Sequence, residues 1–161
     1  MGSKYYAIPA EGQLDDMACW AACLKWWLKA VRSVNKTQRT IIDKYNYLTD
    51  DYGAMNESGI EWLIVDNDMY IEVFDRARDF TADVVRQRLS YGPLYVAYTE
   101  TSSRKKHVNV IYGIQGSGNH AKVKVMEPQS QTNPDWTFTG AHKLKNLSDF
   151  NRLGSVYFGY N

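Results

Sequence analysis

The stretch EGQLDDMACWAACLKWW, residues 11–27, contains both cysteines of the chain and three of its five tryptophans. Cys19 and Cys23 are four residues apart, so a helix places them one turn from each other on the same side. The apolar residues of this stretch and of the residues after it recur at helical spacing. The pattern predicts an amphipathic helix that begins near residue 16, with Asp15 or Asp16 as its N-cap.

The two thiols differ in their predicted position along this helix. Cys19 lies in the first turn, where the helix dipole and the unbonded N–H groups lower the pKa of a thiol. Cys23 lies one turn deeper beside the tryptophans, and a free cysteine in such a place is commonly a small buried core residue. If one thiol is reactive, we expect it to be Cys19.

Length and composition exclude several classes of protein. A chain of 161 residues predicts a single domain, residues 1–161, and its net charge of +1 gives no general attraction to nucleic acid. No apolar stretch approaches the roughly 20 residues of a membrane-spanning helix. Two cysteines do not make a disulfide framework, and three scattered histidines without a second cysteine pair do not indicate zinc. We therefore expect no metal and no cofactor.

The rest of the chain changes from a helical to an alternating pattern. Further helices are predicted at 37–47, 58–66 with Ser58 as cap, and 80–93 with Thr81 as cap and a stop at Gly92-Pro93. Strands are predicted at 69–75, 94–100, 107–114, 121–128, 136–140 and 155–161. Helices first and an antiparallel sheet afterwards indicate an α+β domain.

One predicted hairpin brings an imidazole and a carboxylate together. Its two strands flank a glycine-rich turn centred near Ser117, and antiparallel pairing about that centre sets His107 opposite Glu127. Period-two alternation also places Glu127 on the same face as Val123 and Val125. A carboxylate on an apolar face needs a partner, and His107 is the candidate.

These residues supply the parts of a nucleophilic enzyme. A thiolate needs a base or ion-pair partner, and that base needs an orienting group. Cys19, His107 and Glu127 provide the three roles. Acyl transfer also needs donors for the oxyanion, and the candidates are the Cys19 backbone N–H and the side-chain amide of Gln13.

The spacing of these residues resembles the papain-like cysteine peptidases. Five residues separate Gln13 from Cys19-Trp20, which stands at the start of a long helix, and residues 89–128 follow the later part of the family pattern. That pattern is a helix ending in Gly-Pro, a strand, a loop, H-x-V with a following glycine, a hairpin, and an acidic residue before proline. The similarity is greatest to compact bacterial groups, the bacteriocin-processing peptidase domains and the plant-pathogen effector peptidases.

The resemblance implies a fold and a set of roles. The fold has N-terminal helices, the nucleophile at the start of the central helix, and then an antiparallel β-sheet. Cys19 is implied as nucleophile, His107 as base and acid, and Gln13 as oxyanion donor. The resemblance also suggests a substrate groove, for which the aromatic candidates are Trp20, Tyr91, Tyr98 and Trp136.

One position departs from the family pattern. The orienting residue is normally Asp or Asn, and the matching residue here is Glu127, which is one methylene longer. Asn109 and Gln129 are nearby amides that could take the role instead. The remaining histidines, His120 and His142, are expected to be solvent-exposed.

The leading hypothesis is a cysteine endopeptidase that cleaves protein or peptide substrates, as a bacterial effector or toxin. It would act in a reducing cytosol, after export or delivery without a cleavable signal peptide, and a cognate inhibitor or immunity protein is a possible partner. The same residues are compatible with two alternatives. The same thiol chemistry would serve an acyl-transferase or deamidase, and the fold would also serve a catalytically inactive binding module.

Overall fold

The computed structural model describes residues 4–130 and 137–161, and within them four α-helices precede or interrupt six β-strands. The helices are α1 (Cys19–Arg32), α2 (Gln38–Tyr45), α3 (Glu57–Asp66) and α4 (Ala82–Arg88). The strands are β1 (Tyr70–Phe74), β2 (Leu94–Thr99), β3 (Lys106–Gln115), β4 (Lys122–Glu127), β5 (Ala141–Asn146) and β6 (Leu153–Tyr160). Within these ranges none of the helices has the length and apolar character that crossing a bilayer requires.

The six strands form one antiparallel sheet in the order β1-β6-β2-β3-β4-β5. Buried side chains cover both of its faces. On one face α1, α2 and α3 pack against alternate residues of the central strands, such as Val108 and Val110. On the other face Ile111 and Val125 pack with residues of α4 and β6. The α+β architecture predicted from the sequence is confirmed.

Helix α1 lies across the centre of the sheet because its apolar positions are large and buried. Trp20 and Trp27 are almost fully buried, and each indole N–H has an acceptor in another segment. Trp27 Nε1 donates to Pro93 O at 3.0 Å, and Trp20 Nε1 donates to Gly53 O at 3.1 Å. The Tyr95 hydroxyl of β2 donates to Trp20 O at 2.9 Å. The two bonds at Trp20 fix the first turn of α1, and with it Cys19.

The start of α1 differs from the prediction. The helix begins at Cys19, and its N-cap is Ala18, which makes no side-chain hydrogen bond. Asp15 Oδ1 instead accepts the Met17 N–H at 2.8 Å, so this carboxylate stabilises a turn before the helix. The assignment of Asp15 or Asp16 as the cap was therefore wrong, because Asp side chains stabilise such turns as readily as they cap helices.

Two further caps can be compared with the sequence. Asn56, not Ser58, caps α3, since its side chain accepts the Gly59 N–H at 2.8 Å. The predicted cap of α4 is confirmed, because Thr81 accepts the Val84 N–H.

The strand predicted at 136–140 is not found among residues 137–140, while Trp136 lies outside the described residues. The strand that follows is β5, which pairs with β4 so that Glu127 faces Ala141 and Val123 faces Lys145. It is an edge strand with mostly polar, partly exposed residues. Such strands commonly carry lysine, and they lack the apolar alternation by which interior strands are recognised.

Candidate active site

A groove with a volume of about 690 Å³ runs past the N-terminus of α1 and the adjoining ends of β2 and β3. Cys19 and Trp20 line it from the helix, and His107 and Val108 line it from β3. Apolar side chains such as Ile60 form part of its wall. Two segments far apart in sequence thus place a thiol and an imidazole on one cavity.

Only one of the two thiols faces this groove. Cys19 is partly exposed and is the first residue of α1, so its backbone N–H is among those that lack an acceptor inside the helix. Cys23 is fully buried and donates its thiol hydrogen to Val108 O at 3.4 Å. Burial raises the pKa of the Cys23 thiol well above its usual value. Cys23 is therefore a protonated core residue, as the sequence predicted.

His107 and Glu127 form a buried pair. The Nε2 atom of His107 lies 2.6 Å from Oε2 of Glu127, and both side chains are less than a tenth exposed. Because Nε2 is engaged by the carboxylate, Nδ1 is left as the nitrogen that can exchange a proton with Cys19. The Cys19 side chain is close enough to the imidazole to raise the pKa of His107.

The register of the hairpin differs from the predicted one. β3 and β4 pair Val110 with Met126, which sets Glu127 opposite Asn109 rather than opposite His107. The turn is centred nearer residue 119 than Ser117, and an irregularity between Ile111 and Gly113 shifts the ladder again. The predicted direct pairing was thus wrong by two residues, although the predicted contact between the two side chains exists.

The electrostatics of the pair favour two charges. Burial alone would lower the pKa of His107, but hydrogen bonds with Cys19 and Glu127 and the negative charges on both raise it to about 10. Burial would raise the pKa of Glu127, and the hydrogen bond and charge of His107, together with Lys145, hold it well below its usual range. An imidazolium next to a carboxylate is the stable state at neutral pH.

Both oxygens of Glu127 have further partners. Oε2 also accepts the backbone N–H of Gln129 at 3.2 Å, and Oε1 accepts from Lys145 Nζ at 3.0 Å. Of the alternative orienting amides, Asn109 donates to Met126 O at 3.3 Å and accepts from Tyr98 and Lys145. The Gln129 side chain is exposed. The structure thus brings Glu127, and neither amide, into contact with His107.

Gln13 is buried beneath the turn that leads into α1. Its backbone N–H donates to Pro128 O at 3.1 Å, which ties it to the residue after Glu127. Its side-chain Nε2 donates to Asp15 O at 2.8 Å, and the same nitrogen carries a second hydrogen. Its Oε1 has no hydrogen-bond partner in the described part of the chain. Gln13 is therefore held near the start of α1, with the amide turned towards the chain before Cys19.

The four aromatic residues predicted to line the groove do not all lie there. Trp20 and Tyr98 line it. Tyr91 does not, because it precedes β2 whereas the groove lies at the other end of that strand, about 20 Å away at the usual rise per residue. Its ring stacks on Tyr160, with centroids 5.6 Å apart. Trp136 lies outside the described residues.

The other two histidines lie away from the thiol. His120 is exposed in the turn between β3 and β4, as expected. His142, which was expected to be exposed, is partly buried because it joins two segments. Its Nε2 donates to Ile8 O at 2.7 Å, and its Nδ1 lies 2.9 Å from the Tyr112 hydroxyl. His142 is therefore a structural contact between the N-terminal segment and β5.

Sequence reasoning missed two charged residues of the site, Lys145 and its partner Glu100. Lys145 lies on β5, the strand that the apolar pattern did not reveal, and its side chain runs along the sheet to reach Glu127 and Glu100. Had β5 been recognised, period-two alternation would have placed Lys145 on the same face as its partner Val123.

Comparison with known proteins identifies a family and two structures of the same fold. The model of the C70 peptidase family, described as papain-like cysteine protease AvrRpt2, matches residues 3–141. No curated protein sequence matches significantly.

Two solved structures share the fold. The peptidase domain of Streptococcus ComA, a bifunctional ABC transporter involved in a quorum-sensing pathway, has a TM-score of 0.60 at 16% identity, covering 95% of this chain and 98% of that domain. UfSP from C. elegans has a TM-score of 0.57 at 8% identity, covering 95% of this chain and 33% of its own. Since the family model spans most of the sequence, the chain belongs to the papain-like cysteine protease family of AvrRpt2 and is a cysteine peptidase.

Proposed function

We propose that the protein is an endopeptidase that cleaves protein substrates with Cys19 as nucleophile, His107 as acid and base, and Glu127 as orienting carboxylate. The observation that carries this proposal is the 2.6 Å contact of His107 Nε2 with Glu127 Oε2 at a groove that Cys19 also lines. That contact leaves Nδ1 for the thiol and makes the imidazolium stable beside a thiolate.

The reaction follows from these positions. The Cys19 thiolate attacks the carbonyl carbon of the scissile bond, an S–C bond forms, and the carbonyl π electrons move to oxygen. The resulting oxyanion accepts hydrogen bonds from the Cys19 N–H and, in this proposal, from the second N–H of Gln13 Nε2. The His107 imidazolium gives its proton to the leaving amine as the C–N bond breaks.

The second half of the reaction releases the acyl group. Neutral His107 accepts a proton from water, whose oxygen attacks the thioester carbonyl. The C–S bond then breaks, the carboxylic product leaves, and the thiolate and imidazolium are restored. Glu127 keeps its charge throughout and holds the ring so that Nδ1 faces the sulfur.

Alkylation with iodoacetamide tests the proposed thiol without knowledge of the substrate. Near neutral pH we expect Cys19 to react much faster than Cys23 and than a free cysteine in a short peptide, because a thiolate is the reacting species. His107→Ala is expected to remove this advantage. Equal and slow labelling of both cysteines in the folded protein would contradict the proposal and favour an inactive binding module.

The type of reaction is tested by comparing the proteins of cells that express wild type or Cys19→Ala. We expect new protein termini that appear with wild type alone. Substrates whose mass changes without chain cleavage would show deamidation or acyl transfer in place of proteolysis.

We further propose that the protein acts as an effector or toxin in a reducing cytosol. Membership in the AvrRpt2 family and two unpaired cysteines support this proposal. Expression in the cytosol of a susceptible host cell is expected to impair growth for wild type and not for Cys19→Ala. A cognate inhibitor, where one exists, should suppress that effect and copurify with the protein.

A further inference from the structure

Lys145 lies at the centre of a cluster of polar side chains behind Glu127. Its Nζ lies 2.6 Å from Glu100 Oε2, 3.0 Å from Glu127 Oε1, 2.9 Å from the Tyr98 hydroxyl and 3.1 Å from Asn109 Oδ1. These partners come from β2, β3, β4 and the segment that follows β2. One ammonium group therefore joins four parts of the chain next to the proposed catalytic pair.

The cluster is well shielded from solvent. The Lys145 side chain is 10% exposed, and the side chains of Glu100 and Glu127 are 15% and 8% exposed. Burial by itself would lower the pKa of Lys145, but the negative charges of Glu127 and Glu100 raise it above its usual value. The amine is therefore charged at every pH at which the protein would act.

The Lys145 ammonium also occupies the position between the two carboxylates at which a metal cation would bind. Oxygen and nitrogen atoms of Glu100, His107 and Glu127 lie within 4.8 Å of one another, a spacing that suits metal ligation. Lys145 Nζ is bonded to both carboxylates of this group. The chain's own side chain thus provides the positive charge that two closely spaced carboxylates require.

We propose that Lys145 is a positioning residue for the peptidase reaction, an inference that rests on the function proposed above. By binding Oε1, it fixes the rotation of the Glu127 carboxylate so that Oε2 is presented to His107 Nε2. It also keeps this carboxylate ionised, so that Glu127 remains an acceptor for the imidazolium. Glu100, Tyr98 and Asn109 hold Lys145 in place for this purpose.

The test compares Lys145→Met and Lys145→Gln with wild type by the pH dependence of Cys19 alkylation. Both variants remove the charge, and the second keeps an N–H donor for Glu127. We expect the alkylation rate at neutral pH to fall about tenfold or more, comparable to the loss at metal sites when the hydrogen-bond partner of a ligand is removed. The acid limb of the profile should move to higher pH, because burial raises the pKa of Glu127 once the ammonium is absent.

Lys122→Met is the matched control, since Lys122 lies at the far end of β4, the strand of Glu127, and is exposed. We expect its rate and pH profile to equal those of wild type. A folded Lys145→Met or Lys145→Gln protein with the wild-type profile would overturn the proposal.

Chemical rescue separates positioning from simple destabilisation. A cavity of about 570 Å³ opens beside Lys145, Glu100 and Glu127, so a small cation can reach the position of the ammonium. Propylammonium, and not propanol, is expected to restore the alkylation rate of Lys145→Ala. Failure of both compounds with a folded variant would count against the proposal.

The two proposals fail in different ways. If wild-type Cys19 reacts slowly and without dependence on His107, the proposed function is wrong. If wild-type Cys19 reacts fast and depends on His107 while the Lys145 variants behave as wild type, only the role of Lys145 is wrong.

Discussion

His107 Nε2 and Glu127 Oε2 lie 2.6 Å apart although the two residues are not cross-strand partners. The ladder of β3 and β4 makes them diagonal neighbours, and the backbones of such neighbours are about 7–8 Å apart. A glutamate side chain, one methylene longer than aspartate, provides the reach for this diagonal contact. The departure from the Asp or Asn that the resemblance implies is therefore consistent with the geometry of this hairpin.

Shortening the Glu127 side chain should lower the peptidase activity as much as removing its charge. Glu127→Asp retains the charge but loses reach, and Glu127→Gln retains length but loses the charge. We expect either change to lower kcat/KM on a cleaved peptide by about 100-fold, because His107 loses its orientation and with it the lower end of what a positioned acid or base contributes. Full activity of Glu127→Asp would show that reach is not required, and circular dichroism of both variants checks that they fold.

The charge of His107 should be measurable directly. Cys19 and Glu127 raise its pKa to about 10, both through hydrogen bonds and through their negative charges. The Cε1–H resonance should therefore titrate near pH 10 in wild type and at lower pH in Cys19→Ser, which has no thiolate. Cys23→Ala is the control and should titrate as wild type, because the Cys23 thiol stays protonated.

The raised pKa of His107 makes the stability of the folded protein depend on pH. The pKa of His107 in the folded protein exceeds the 6.5 of an ordinary imidazole, so protonation stabilises the fold. This contribution is complete below pH 6.5 and is lost as the pH rises through about 10. Urea unfolding of wild type against His107→Gln should show a stability difference that shrinks across this range, and a difference independent of pH would contradict the assignment.

Removing the Gln13 amide should slow peptide cleavage and not alkylation. Displacement by iodoacetamide forms no oxyanion, whereas attack on a peptide carbonyl does. Gln13→Ala is therefore expected to lower kcat by about 100- to 1000-fold, as the loss of one oxyanion donor does elsewhere. The Cys19 alkylation rate should be unchanged. Equal losses in both reactions would indicate that Gln13 has only a structural role.

Gly12 should be intolerant of any side chain. A Cβ atom at this position would lie 1.8 Å from the backbone oxygen of Phe138, and Gln38 Nε2 donates to Gly12 O at 2.7 Å. Gly12→Ala must push apart the segment that carries Gln13 and the chain that leads into β5. We expect a fall in unfolding free energy of about 1–3 kcal/mol, the usual cost of overpacking, together with reduced kcat. Thermal unfolding and peptide cleavage check the two effects.

Gly92→Ala provides the comparison for Gly12. Its φ is 124°, a left-handed conformation, but a Cβ there would meet nothing within 4 Å. We expect it to lower stability through backbone strain and to leave kcat unchanged.

The sequence by itself determined the four helices, five of the six described strands and the candidate residues Cys19, His107, Glu127 and Gln13. Helical periodicity located α1 and separated Cys19 from Cys23, and period-two alternation found β3 and β4. These signals are local, since each depends on residues within one element and on which of its sides is buried. The spacing between Gln13 and Cys19-Trp20 is also a local signal, because it can be read directly from neighbouring positions in the sequence.

Tertiary structure decided what depends on the meeting of distant segments. The register between β3 and β4 followed from a turn whose exact centre the residues do not reveal, and one irregularity moved it again. Strand β5 is an edge strand without an apolar pattern, so Lys145 was found only once its side chain was seen against Glu100 and Glu127. A buried charge needs partners of opposite charge, and the partners of Lys145 are brought together only when the sheet folds.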